Sequence, residues 1–285
     1  MSEVSVRFLP PAAPLRDAIA FYYVVRIGPG APVEDLLHPD GAHVRILLTG
    51  DWEIALPGGG GGAGTGPRGF LTGPLSRSAS VRCAAPGVMV GVALSPPGWA
   101  LLTHRRAADY LDRLAPLLEL LGDEGARLVE ALAASPGEDR YAAALDDWFL
   151  ARRAGRPAVD PLLADAAIGL DDDEIASVAH WAERLGCSTR HLERLTRDYI
   201  GLPPKRLLRR QRFLRSSASL REAPLGGWGR VIDEGYADQP QFVREFKYFM
   251  GMTPRAYFAR HTPLTTAAAA ARKAQAAVQQ RDAAE

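Results

Sequence analysis

Five side chains in one short segment have the donors and acceptors needed to read base edges: Thr189, Arg190, Glu193, Arg194 and Arg197. A guanidinium can chelate O6 and N7 of guanine, and a carboxylate can accept from N4 of cytosine. Steps of one, three and four residues put all five on one side of a helix. About fifty residues later comes a second set, Gln239, Pro240, Gln241, Val243, Arg244 and Lys247. Glutamine pairs bidentately with adenine, and valine can touch a thymine methyl. The chemistry implied is recognition of double-stranded DNA.

Such side chains need a scaffold that presents them to a groove. Around the first set, Ile175, Val178, Ala179, Ala182 and Leu185 form an apolar stripe at helical spacing. Gly186 suits a left-handed helix end, and Ser188 can cap the helix that follows. In that helix Leu192, Leu195 and Tyr199 are expected to face the core. The second set has the same grammar: Trp228, Val231 and Ile232 as a supporting stripe, Gly235 as the turn and Asp238 as the cap. Pro240 falls in the first turn, where its missing N–H costs little. Phe242 and Phe246 point inward. Two helix-turn-helix units are expected.

Pro204 to Leu220 reads as one connecting helix, with Leu207, Gln211, Leu214 and Ala218 along one side and Arg209, Arg210, Arg212 and Arg215 crowding the rest. A rigid connector that sets the reading helices roughly 34 Å apart would place them in successive major grooves.

Charge follows the same map. The 285 residues sum to +1. Residues 1–160 sum to −3, 161–185 to −5 and 186–261 to +8. Concentrated positive charge is what a phosphate-binding surface requires, because it releases condensed counterions.

The rest divides into an α+β arrangement. A β-rich amino-terminal, sensor-like domain with following helices is expected over 1–158, an all-α domain with two helix-turn-helix units over 159–262, and an Ala-rich tail, frayed or disordered, over 263–285. Strand signals fall at Phe21–Val25, Val44–Leu48, Trp52–Leu56 and Val88–Val92. Helical periodicity runs from about Arg105 to Arg153, through Leu128, Leu132, Tyr141, Leu145, Trp148 and Phe149.

Several other functions find little support. His38 and His43 lack a third ligand at usable spacing, so no metal is expected. The Gly58–Gly66 run lacks the Gly-Lys-Ser/Thr ending of a phosphate cradle and reads as a flexible hairpin loop. No catalytic constellation and no cofactor motif stands out. No run of 18 apolar residues and no charged-then-apolar leader is present, so neither a membrane span nor a secreted precursor is expected. Two cysteines, Cys83 and Cys187, fit a reducing cytoplasm better than a disulfide framework. Two other readings compete with a sequence-specific regulator: a small-molecule enzyme on the β-rich domain, and an architectural DNA binder. Base-directed Gln and Glu argue against the latter.

The segment Ile175 to Tyr257 resembles the AraC/XylS-type bacterial transcription regulators. The resemblance is carried by Gly201-Leu202-Pro203-Pro204-Lys205-Arg206, by Gly235-Tyr236-Ala237-Asp238-Gln239-Pro240-Gln241-Phe242-Val243-Arg244-Glu245-Phe246-Lys247, and by Gly251-Met252-Thr253-Pro254-Arg255-Ala256-Tyr257. It implies a seven-helix domain reading two adjacent major grooves from one monomer. Arg190, Glu193 and Arg194 then match base-facing positions of the first reading helix, and Gln239, Pro240, Gln241 and Arg244 those of the second. It further implies activation through RNA polymerase as the common mode, with repression as the alternative. The chain departs from the pattern at Arg230, Val231 and Pro240, which makes the second unit the softer reader. His38-Pro39-Asp40-Gly41, Gly73-Pro74-Leu75-Ser76 and Val90–Gly98 are similar to the amino-terminal domain of one branch of these regulators. That similarity implies a sensing or dimerising role, with a small-molecule effector or a homodimer as its form.

Overall fold

The computed structural model describes residues 2–135, 137–222, 236 and 238–282. The supporting helix expected around Trp228, Arg230, Val231, Ile232 and Gly235 lies outside the described residues.

The amino-terminal half is an eight-stranded antiparallel sheet in the order β1-β2-β7-β4-β6-β8, with β3 on β7 and β5 on β4. Its strands are β1 (Val4–Leu9), β2 (Ile19–Ile27), β3 (Val33–Leu37), β4 (His43–Ala55), β5 (Gly61–Thr65), β6 (Arg68–Thr72), β7 (Ala79–Leu94) and β8 (Leu114–Pro116). The two strands expected at Val44–Leu48 and Trp52–Leu56 are one bent strand, β4. Gly50 makes the bend at φ +93, where a Cβ would meet Gly87 Cα and Pro86 O at 2.8 Å. The bend lets β4 follow β7 through register shifts instead of ending in a turn. The glycine run also differs from expectation. Gly61–Thr65 pairs with Asp51–Ala55 as β5, because backbone hydrogen bonds to β4 do not need side chains.

Each sheet face carries a core. On one face Tyr22, Val24, Val44, Ile46, Val90 and Val92 pack against helices α1 (Pro96–Leu102), α2 (Leu117–Leu121), α3 (Asp123–Ala133) and α4 (Glu138–Ala154). Leu128, Leu132, Tyr141, Leu145 and Phe149 supply the helical side of it. The Tyr22 hydroxyl donates to Asp146 on α4 at 2.8 Å. The other face gathers Tyr23, Val25, Ile27, Leu47, Trp52 and Met89.

The carboxy-terminal half comprises α5 (Pro161–Asp171), α6 (Val178–Arg184), α7 (Thr189–Tyr199), α8 (Pro204–Glu222), α9 (Gln239–Met250), α10 (Pro254–Phe258) and α11 (Pro263–Asp282). The tail, expected as a frayed helix or disorder, is a helix, α11, docked on the second sheet face. Leu264 packs into that core, and Arg272 lies over the rings of Phe8 and Phe21 at 5.2 and 5.7 Å. Asp35, buried on β3, accepts from the Thr265 N–H at 2.8 Å and from its hydroxyl at 3.3 Å. A carboxylate at a helix N-terminus satisfies orphan donors and complements the dipole.

Other contacts join the halves. His38 Nε2 meets the Tyr257 hydroxyl at 2.7 Å, the Ser78 N–H donates to Phe249 O at 2.7 Å, and Arg210 donates to Asp40 O at 3.0 Å. Arg106 pairs with Asp198 at 2.7 Å. Among the described residues no helix is long and apolar enough to cross a membrane, and no three His, Cys, Asp or Glu converge as a metal-binding group.

Candidate nucleic-acid interface

The first unit is built on an apolar wedge. Ser177 caps α6 by accepting from the His180 N–H at 3.1 Å. Trp181 and Ala182 are buried against Leu163, Ala166 and Leu170 of α5 and Leu192 and Leu195 of α7. Gly169 makes room for this, since a Cβ there would stand 2.7 Å from Trp181 Nε1. The stripe differs in detail from the expected one. Ile175 is buried but precedes α6, Ala179 is exposed, and Trp181 takes the central place. Seven residues make barely two turns, so α6 buries one large side chain and one small one.

Gly186 adopts φ +62, and the Gly186 and Cys187 N–H groups bond back to Glu183 O and Ala182 O. These bonds satisfy end carbonyls of α6 and reverse the chain. Ser188 then caps α7 by accepting from the His191 N–H at 3.2 Å. Leu192, Leu195 and Thr196 are buried, and Thr189, Arg190, Glu193, Arg194 and Arg197 are all exposed on one side. Glu193 and Arg197 pair with each other at 3.0 Å. Tyr199, expected inward, is 37% exposed, because Ile200 and Leu202 enter the core instead.

The second reading helix combines an aromatic core with a buried polar network. Asp238 caps α9 by accepting from the Gln241 N–H at 2.6 Å, and Pro240 sits in its first turn. Phe242 and Phe246 are fully buried. Gln239, Pro240, Arg244 and Lys247 are exposed, while Gln241 and Val243 are half-buried. Sequence reasoning missed Glu245. Its carboxylate is buried and accepts from Arg209 at 2.7 Å, Arg212 at 3.0 Å and the Tyr236 hydroxyl at 2.9 Å. Burial and the neighbouring Glu245 push the Tyr236 phenol pKa well up, so it stays a donor.

This network corrects the reading of the connector. The buried side of α8 is Leu207, Arg210, Phe213, Ser217 and Leu220, rather than Leu207, Gln211, Leu214 and Ala218. Its arginines are not an undivided phosphate-binding surface. Arg209 and Arg212 hold Glu245, Arg210 turns to Asp40, and Arg215 pairs with Asp173 at 2.8 Å. Arg209 also stacks over Tyr248 at 4.6 Å. A signal was available in the sequence: Glu245 sits three and four residues from Phe242, Phe249 and Tyr248, where an acid needs a buried cation.

His38 and His43 do not converge, since His38 faces Tyr257 and His43 Nε2 faces Asp40 at 3.4 Å.

Residues 181–260 match a family described as a helix-turn-helix domain. No curated protein matches the chain. Among solved structures the chain is similar to ToxT from Vibrio cholerae, at 11% identity over 83% of this chain and 96% of that one, TM-score 0.48. It is similar to the unsaturated fatty acid-bound form of ToxT at 12% identity, over 90% and 94% of the two chains, TM-score 0.45. The AraC-like transcriptional activator CuxR shares 16% identity over 80% and 91%, TM-score 0.30. A capped pair of short helices with a left-handed glycine between them defines a helix-turn-helix unit. Residues 181–260 therefore carry a helix-turn-helix domain.

Proposed function

We propose that this chain is a sequence-specific activator that lays α7 and α9 into two successive major grooves. The observation that carries the reading is the exposed row Thr189, Arg190, Glu193, Arg194 and Arg197 on a helix whose opposite side is locked into a core. In this reading Arg190 and Arg194 take guanine edges, Glu193 takes cytosine, and Arg197 steers Glu193 through their ion pair. Gln239, Pro240, Gln241, Arg244 and Lys247 form the second, softer contact. Residues 159–262 act as the DNA-binding domain and 1–158 as the sensing or dimerising one. Contact with RNA polymerase, a homodimer, a small-molecule effector and a cytoplasmic site complete the proposal.

Selection of bound sequences from a random DNA pool by the full chain tests it. Two conserved blocks about one helical turn apart are expected. Arg194→Ala is expected to relax one base position at a cost of about 1–3 kcal/mol. Equal affinity for every sequence would sink the base-reading claim, and a single block would sink the two-groove claim.

A further inference from the structure

Three loops of the amino-terminal half converge and carry sequence motifs that base reading leaves without a role. Residues 38–42 join β3 to β4, residues 73–78 join β6 to β7, and residues 103–113 join α1 to β8. The first two contain His38-Pro39-Asp40-Gly41 and Gly73-Pro74-Leu75-Ser76. Backbone hydrogen bonds tie them together. The Leu75 N–H donates to Asp40 O at 3.0 Å, the Asp112 N–H to Pro74 O at 2.9 Å and the Gly73 N–H to Arg113 O at 2.9 Å.

Asp112 adds the side-chain bonds. Its carboxylate accepts from the Ser76 N–H at 2.7 Å and from the Ser76 hydroxyl at 2.6 Å. Ser76 is buried, so water does not compete for either bond, and a charged acceptor strengthens both. Asp112 makes them from φ +54, and among the described residues it is the non-glycine one in the left-handed region. That conformation is unfavourable for a residue with a Cβ and persists where the surrounding contacts over-determine it.

The joined loops touch both helix-turn-helix units. Toward the first, Arg106 pairs with Asp198 in the last turn of α7, and Leu111 packs into the core of Trp181 and Leu192. Gly201, just past α7, lies so close that a Cβ there would stand 2.8 Å from Pro74 Cγ and 3.2 Å from Ala107 O. Toward the second, the Ser78 N–H donates to Phe249 O in the last turn of α9, and His38 meets the Tyr257 hydroxyl. Both reading helices are therefore gripped at their C-terminal ends. Neither exposed row includes Asp198, Gly201 or Phe249, and base edges are met mainly by the N-terminal part of a reading helix, so grip and reading do not compete. The connector α8 has 19 residues, a rod of about 28 Å. A modest bend near its start moves its far end by ångströms, whereas two reading helices must match DNA to within a base-pair rise of about 3.4 Å.

We propose that Asp112 is a positioning residue for DNA recognition. By holding Ser76 it locks the loop against α7 and the loop against α9 into one body, and that body sets the separation of the two reading helices. The role rests on the reading that α7 and α9 both enter DNA, but the separation itself is measured with no DNA present.

Spin labels at Arg197→Cys and Lys247→Cys, in the full chain carrying Cys83→Ala and Cys187→Ser, report that separation. A narrow distance distribution is expected in this background and with Asp112→Asn, whose amide keeps both bonds to Ser76 and tolerates positive φ. Asp112→Gly suits the backbone but removes the carboxylate, and its distribution is expected to broaden by about 3 Å or more, one base-pair rise. Binding is then measured on the sequence that the full chain selects from the random pool, with the spacing of its two blocks changed by one base pair either way. The unsubstituted chain is expected to lose about tenfold or more in affinity, as a displaced block forfeits at least one base contact, and Asp112→Gly less than about threefold. A broad distribution in the parent background, an unchanged one in Asp112→Gly, or spacing discrimination in Asp112→Gly equal to that of the unsubstituted chain overturns the proposal. A pool that yields a single block counts against the two-groove reading, and the distance measurement then decides on Asp112 by itself. If Asp112→Gly does not fold, Ser76→Ala combined with Arg106→Ala decides by the same criteria.

Discussion

Trp181 and Glu245 serve the two reading helices in comparable ways, yet one does so by filling space and the other by collecting donors. Trp181 is wedged among apolar side chains of α5 and α7. Glu245 sits on α9 itself and is gripped by Arg209, Arg212 and Tyr236. Apolar packing is non-directional and tolerant of ionic conditions, whereas a buried carboxylate holds only while every partner stays in place. Both helices are seated by apolar volume, the second on Phe242, Phe246 and Phe249, and only the second adds a directional polar clamp to that packing.

The comparison can be broken or sharpened by substitution. The largest effect is expected for Trp181→Ala, about 3–5 kcal/mol lost from unfolding stability in denaturant titrations of the full chain. A loss under about 1 kcal/mol would show that the first unit does not depend on its wedge. Glu245→Gln comes next, at about 2–3 kcal/mol. That is below the usual cost of breaking a buried ion pair because Arg209 and Arg212 are more than a third exposed. Adding Arg209→Gln and Arg212→Gln to Glu245→Gln should recover part of this, and additive losses would refute a shared network. The caps follow. Ser188→Ala and Asp238→Ala should each cost about 1 kcal/mol, equal in the two units because capping is local. Smallest is Arg197→Ala, about 0.3–0.5 kcal/mol, since it removes one exposed pair four residues apart. A measurable loss of DNA affinity beyond that figure would place Arg197 on the DNA rather than on Glu193 alone.

Local signals were the readable ones. Gly186, Ser188, Asp238 and Pro240 fall where capping and turn chemistry put them, because these depend on neighbours within a few residues. The exposed row on α7 followed from helical period alone. What stayed hidden depends on elements far away in the chain. The inward side of α8 could not be read from its own residues, because the buried Arg210 donates to Asp40 O, which lies on the other half. Tyr199 looks like a core residue by spacing, but the chain supplies Ile200 and Leu202 to the same core. The β4 bend at Gly50 and the pairing of a glycine run as β5 both depend on a partner strand. The Glu245 network needed two helices at once.

The docking of α11 also changes the topology of the molecule. The strand sheet begins the chain, and the last described helix returns to the same sheet, fastened by Asp35, Leu264 and Arg272. Residues 161–258 therefore form an excursion tethered at both ends, closer to an inserted domain than to an appended one. A tether at each end keeps the local concentration of one half around the other high even when either connection is cut. A protease nick between Ala154 and Pro161 should leave the two pieces migrating together, and removal of α11 as well should weaken their association to what the His38, Ser78, Arg106 and Arg210 contacts supply.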